Sequence, residues 1–137
     1  MNSNKLNRIL DKHRKWLNHE EGGARVDLSY SDLRGSDLRH SNLSGSDLRY
    51  SDLIHSNLSG SDLRDSGLDY SCLPLWCGSL RANFDDCQLK QIAYHLVKAG
   101  LQSNNASDET KAELAKLVDF ANGFHKADEC GKITLDA

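Results

Sequence analysis

The chain has little charge imbalance, few cysteines and no long apolar run. Seventeen Lys and Arg against twenty Asp and Glu give a formal charge of -3 over 137 residues. That balance is too mild to name a nucleic acid or an acidic surface as partner. No apolar run approaches the roughly 20 residues of a membrane span, and the N-terminus is polar and charged rather than signal-like. A soluble chain that stays in the cytoplasm of the host cell is expected. The four cysteines, Cys72, Cys77, Cys87 and Cys130, are too few and too unevenly spaced for a secreted disulfide framework, and reduced thiols are expected. No glycine-rich phosphate loop follows a strand and opens a helix. The length allows one compact domain, or a repeat body with small flanking modules, but not two large cores.

What the sequence does contain is a leucine at every fifth position from Leu28 to Leu73. This period fits neither an amphipathic helix nor an alternating strand. The unit reads roughly Ser, then Asp or Asn, then Leu, as in Ser36-Asp37-Leu38, Ser41-Asn42-Leu43 and Ser61-Asp62-Leu63. Fixed self-similarity of this kind is the mark of a solenoid.

Tandem units of a small residue, Asp or Asn, and Leu resemble the pentapeptide-repeat proteins. The resemblance implies an all-β solenoid with helical flanks, specifically a right-handed quadrilateral β-helix with one unit per side and four units per coil. The leucine and the small residue two before it then face inward. Serine stands here where the family usually has alanine. A buried hydroxyl without a partner costs about 1 to 3 kcal/mol, so each is expected to bond a backbone carbonyl of a neighbouring turn. Four units per coil also predict that residues twenty apart stack. Tyr30, Tyr50 and Tyr70 then share one outer column, and Asp27 with Asp47 and Asp32 with Asp52 form acidic lines. The tyrosines either stiffen the coil or offer a flat contact surface of large area at low entropic cost.

The flanks read as helical. Residues 1–23 hold a stripe of Leu6, Ile9, Leu10, Trp16 and Leu17 at helical spacing among basic residues, with Gly22 and Gly23 as the stop. A helix here is expected to cap the open end of the solenoid, whose core and strand edges need cover. Residues 24–86 form the repeat body of about three coils, irregular near 74–78, where Pro74 to Gly78 break the unit. Ala82-Asn83-Phe84 resumes the pattern after one inserted residue. Residues 87–137 are expected to form a helical hairpin and tail. Its first helix starts at Asp85 or Asp86 and ends at Gly100, and its second runs from an N-cap at Ser107 to Asn122-Gly123. Leu114, Leu117, Val118 and Phe124 form an apolar stripe on the second helix, a candidate homodimer contact.

A further likeness covers nearly the whole chain. Lys15-Trp16-Leu17, Glu20-Glu21-Gly22-Gly23, the run from Leu73 to Leu80 and the end Ala121-Asn122-Gly123-Phe124-His125 resemble small pentapeptide-repeat proteins of bacteriophages and prophages of Gram-positive bacteria.

No catalytic residue stands out. The repeat explains every serine beside an aspartate, and His40, His55, His95 and His125 are scattered. A non-enzyme without a cofactor is expected. Cys72, Cys77, Cys87, Cys130 and His125 could supply zinc ligands only if the tail folded back, and they lack the paired spacing of structural zinc sites, so packed or half-exposed thiols and no metal are expected. The resemblance implies binding instead. Some pentapeptide-repeat proteins, quinolone-resistance proteins among them, present an acidic rod that mimics DNA and engages gyrase or another DNA-handling protein. Eight Asp against five Arg over residues 24–71 give -3 here. The expected activity is binding and inhibiting a host nucleic-acid-handling or defence machine, with a protein partner and no direct contact to nucleic acid or membrane. The candidate contacts are Tyr30, Tyr50, Tyr70, Asp27, Asp32, Asp47 and Asp52. The alternative is a virion or assembly component that uses the solenoid as a rigid spacer.

Overall fold

A computed structural model describes residues 1–75 and 80–135. The chain divides into two compact units, Met1–Phe84 and Asp85–Ala137.

In the first unit the five-residue period closes into four-sided coils. Parallel bridges join Asp27 to Asp47, Asp32 to Asp52, Asp37 to Asn57 and Asn42 to Asp62, one on each side. Further bridges from Asp47 to Gly67, Asp52 to Cys72 and Asp62 to Asn83 carry the stack into a third layer. The last of these spans 21 residues where the others span 20. The extra residue is therefore absorbed before Asn83, whose carbonyl accepts from Leu63 N–H at 2.9 Å. Trp76 and Cys77, within the irregular stretch expected near 74–78, lie outside the described residues.

Each corner is a four-residue turn closed from the serine N–H to the preceding leucine carbonyl, as from Ser31 to Leu28 and from Ser51 to Leu48. The third residue of these turns has positive φ: Tyr30, His40, Tyr50, His55, Asp65 and Tyr70 lie between 56° and 61°, and Gly35, Gly45 and Gly60 between 68° and 72°. That is the demand of a type II turn, which a non-glycine residue meets at a cost of about 1 kcal/mol. From Leu28 to Leu63, the Asp or Asn before the leucine relieves the turn from outside. Its Oδ1 accepts the N–H two residues on, as in Asp32 with Arg34 and Asn57 with Ser59. Short acceptors suit this local turn geometry.

Leu28 through Leu63 are fully buried in one apolar column, closed by Val26, Leu68 and Phe84. The inward serines bond differently from the expectation. Ser41, Ser51, Ser61, Ser66 and Ser71 donate to the leucine carbonyl three residues earlier, at 2.6 to 2.7 Å, and so to the corner just turned rather than to a neighbouring coil. Ser46 Oγ is buried with no partner among the described residues.

Helix α1, Ser3–Leu17, is N-capped by Asn2, and its Leu6, Ile9 and Leu10 join the leucine cluster. It stops at Asn18 and a left-handed His19 rather than at the glycine pair. Gly23 serves close approach instead, since a Cβ there would lie 2.4 Å from the Trp16 nitrogen.

The second unit holds α2, Asp86–Gln102, α3, Asp108–Ala115, α4, Val118–Ala121, and α5, Ala127–Cys130. Asp85 and Gln88 form a reciprocal capping box, and Ser107 caps α3 through Thr110 N–H. Two expectations are corrected here. Gly100 does not end α2; it makes room for α3, because a Cβ would meet Leu114 Cδ1 at 2.1 Å. The second helix is not continuous, for at Lys116 and Leu117 the bonding tightens to i,i+3 before α4 resumes. Tyr94, Val97, Val118, Ala121, Phe124, Ala127 and Ile133 form the core of this unit. The Tyr94 hydroxyl donates to Gly131 O at 2.6 Å, and the Asn122 amide holds both Ile133 backbone groups.

Candidate protein-binding surface

The tyrosine column follows directly from the turn. Residues at the third corner position point outward, and those twenty apart align. The rings of Tyr30 and Tyr50 stack at 4.6 Å and 4°, and those of Tyr50 and Tyr70 at 4.7 Å and 10°. The separation is the spacing of adjacent strands. The ladder is well exposed, with Tyr30 at 75%, Tyr50 at 46% and Tyr70 at 63%.

The sides of the coil are not equivalent. Among the described repeat residues, the exposed large apolar side chains besides the tyrosines are Ile54 and Leu75. Both belong to the side that begins at the tyrosine corner and runs through 31–35, 51–55 and 71–75. Ile54 was not singled out from the sequence, although the pattern carried the signal: it replaces a polar or charged residue at the outward position after leucine.

The acidic residues are placed differently from the tyrosines. Asp27 and Asp47 bridge across coils, as do Asp32 and Asp52, but the columns are not free carboxylates. Arg34 forks onto Asp32 through Nε at 2.8 Å and Nη2 at 2.6 Å, and also lies 3.8 Å from Asp52. Arg49 grips Asp47 in the same way, Arg39 grips Asp37, and Arg64 grips Asp62. Asp27 accepts from the backbone and hydroxyl of Ser29. The Arg39 fork, then its N–H, holds the Asp37 carboxyl down to about 2. Arg34 likewise lowers Asp32, Arg49 lowers Asp47, and the Ser29 hydroxyl lowers Asp27. Such two-point pairs fix orientation and neutralise charge locally. Turn closure thus engages one oxygen of each carboxylate that the sequence offered to a partner, and Arg34 and Arg49 take the second oxygen of Asp32 and Asp47.

The candidate dimer stripe is also dispersed. Val118 and Phe124 are buried in the core of their own unit, Leu114 packs partly against it, and only Leu117 of the four is exposed. The break at Lys116 and Leu117 turns these residues inward. Leu89, Leu96, Leu117 and Phe120 are the exposed large apolar residues of that unit among the described ones, together with Leu135.

An open cleft of about 740 Å³ lies between α1 and the coil, lined by Asp11, Arg14, Asp37, Arg39 and His40 among others. Its arginines are already paired, Arg14 with Asp11 and Glu20 and Arg39 with Asp37. Among the described residues no group of His, Cys, Asp and Glu is arranged to hold a metal, and no helix is long and apolar enough to cross a membrane. Cys72, Cys87 and Cys130 are free and exposed, and Cys77 lies outside the described residues.

The repeats define the class. Residues 25–65 match the model of the pentapeptide-repeat family in eight copies, so this stretch is built of pentapeptide repeats. For that family the four-sided coil is the right-handed quadrilateral β-helix. Among solved structures, the chain is similar to a pentapeptide repeat protein, Rfr23, from the cyanobacterium Cyanothece 51142, with 26% identity over 43% of this chain and 40% of that one, at a TM-score of 0.32. It is also similar to a trypsin-treated variant of QnrB1, a plasmid-mediated fluoroquinolone resistance protein, with 17% identity over 51% of this chain and 43% of that one, at a TM-score of 0.25. Either match thus spans less than half the length of the solved chain. No curated protein matches it.

Proposed function

We propose that this protein is a non-catalytic binding module that docks a protein partner through the coil side beginning at the tyrosine ladder. The observation that carries the reading is the concentration of Tyr30, Tyr50, Tyr70, Ile54 and Leu75 on that side. Aromatic groups held rigidly by the backbone lose little freedom on binding, which is why tyrosine recurs at interface hot spots. Here the rings are fixed twice, by left-handed corners and by stacking.

The narrower reading is a small phage or prophage inhibitor, acting in the cytoplasm on a host nucleic-acid-handling or defence machine. It rests on the family resemblance, and DNA mimicry is its most specific form. The paired carboxylates support a contact led by tyrosines and modulated by charge, rather than one led by acidic lines.

The test compares two variants of the tagged protein as bait in a Gram-positive host lysate. One carries Asn at Tyr30, Tyr50 and Tyr70, since Asn tolerates the left-handed corner. The other carries Asn at Asp27, Asp32, Asp47 and Asp52, which keeps the turn acceptor as Asn42 and Asn57 already do. Loss of the captured protein with the tyrosine variant and retention with the aspartate variant is the expected result. The reverse pattern would replace tyrosine docking by charge mimicry, and supercoiling by purified gyrase would then be the next assay. Capture of virion proteins by both variants would favour the structural role.

A further inference from the structure

His13 is fully buried between α1 and the first coil and has no part in the surface described above. Its Nδ1 accepts the Val26 N–H at 3.1 Å, and its Nε2 lies 2.9 Å from the Ser44 carbonyl. A backbone N–H can only donate and a carbonyl can only accept. The ring is therefore neutral, with its proton on Nε2.

Both bonds replace bonds that the repeat makes elsewhere from backbone alone. In the next coil the N–H equivalent to Val26 is that of Ser46, which closes its turn on the Leu43 carbonyl. The carbonyl equivalent to Ser44 is that of Arg64, which accepts from Gly45 N–H one coil before it. The first coil has no coil before it. One imidazole stands in for a turn acceptor and for an inter-coil donor at the open edge, where exposed strand groups would otherwise be unpaired. Arg25 reinforces the same corner by donating from Nε to the Gly45 carbonyl.

We propose that His13 is a proton-sensitive pin that holds α1 over the first coil, and that its protonation releases the helix and opens that end of the solenoid. Protonated His13 carries N–H on both nitrogens, so Nδ1–H would face Val26 N–H and one bond must break. Around the ring stand the Trp16 indole, stacked at 5.3 Å, and the cationic Arg25, whose charge also opposes protonation. Burial, the larger cause, and Arg25 hold the imidazole below its usual pKa, while the bond to Ser44 acts in the opposite sense. A histidine lowered in the folded state leaves the cap intact above the unfolded value of about 6.5 and weakens it as pH falls below that toward the folded value.

Trp16 reports directly on the pin because it stacks on His13. With Trp76→Phe as background, Trp16 emission and the amide exchange of Val26, corrected for intrinsic rate, are followed from pH 7.5 to 4.5. Opening at Val26 should rise by up to roughly tenfold per pH unit below about 6.5, together with a change in Trp16 emission. His13→Gln supplies an acceptor and a donor without a titrating proton, and should remove the transition while keeping Trp16 packed at pH 7.5. An unchanged transition in His13→Gln overturns the proposal. Should that variant lose the cap at pH 7.5, the ring-nitrogen shifts of wild-type His13 decide. An Nε2–H imidazole titrating in step with Val26 opening supports the pin; titration without opening overturns it.

Discussion

In the coil unit one local solution is used again and again, whereas in the helical unit each contact is made once. Leu28 and Leu63 sit in equivalent corners, served by the same turn bond, the same aspartate or asparagine acceptor and the same bridge to the next layer. Tyr94, Asn122 and Gly100 have no counterparts: one hydroxyl finds Gly131, one amide finds Ile133, one missing Cβ admits Leu114. Repetition spreads a defect over adjacent layers, since stability in such stacks is a sum of unit and nearest-neighbour terms. Unique contacts concentrate it.

Phe124→Ala tests whether the unique contacts of the helical unit fail together. Removing this buried ring should cost about 3–5 kcal/mol and unfold residues of Asp85–Ala137 while amide protection at Leu53 persists. Equal loss of protection at Leu53 would show that the two units melt as one.

Next in size is Leu53→Ala in the middle layer, expected to cost about 2–5 kcal/mol by chemical denaturation. Leu68→Ala, at a site with 6% exposure, should cost less. If the order reversed, the layers would not share the load as the repeat suggests.

A smaller effect isolates the corners. Tyr50→Gly should be about 1 kcal/mol more stable than Tyr50→Ala, because both lose the stack but only glycine relieves the left-handed φ of 59°. Denaturation midpoints of the two variants give the difference directly.

The smallest effect concerns the surface pairs, and it is one of sign. Asp37 is held near 2 from an ordinary 3.8, so its pairing contributes fully above about pH 4 and is lost as pH falls through about 2. Asp37→Asn should flatten that part of the pH profile while leaving the turn N–H of Arg39 protected, since the amide oxygen still accepts. Loss of that protection would mean that the charge, not the turn acceptor, holds the corner.

How far the site could be read from sequence differed between the two kinds of residue. The tyrosine ladder followed from arithmetic, because a five-residue unit and a four-sided coil put residues twenty apart in register. The carboxylates did not. That Arg34 lies two residues after Asp32 is plain in the chain, but only the turn brings guanidinium and carboxylate into a fork. His13 carried no signal, being one more residue on a basic helix until the fold buries it against Val26 and Ser44. The stripe through Val118 and Phe124 misled because periodicity marks which face is apolar, not whether that face already has a cover.

Spacing along the chain is enough to set the coil's period, its inward leucines and its stacked tyrosines, and to show that one residue is inserted before Asn83. These are local rules repeated, and a repeat makes its neighbour's environment identical to its own. Which polar groups are spent on turns and pairs, and which stay open to solvent, is set by the folded molecule. Hydrogen bonds and ion pairs depend on atoms meeting within about 3 Å, and that meeting is settled by the packing of distant segments rather than by spacing along the chain.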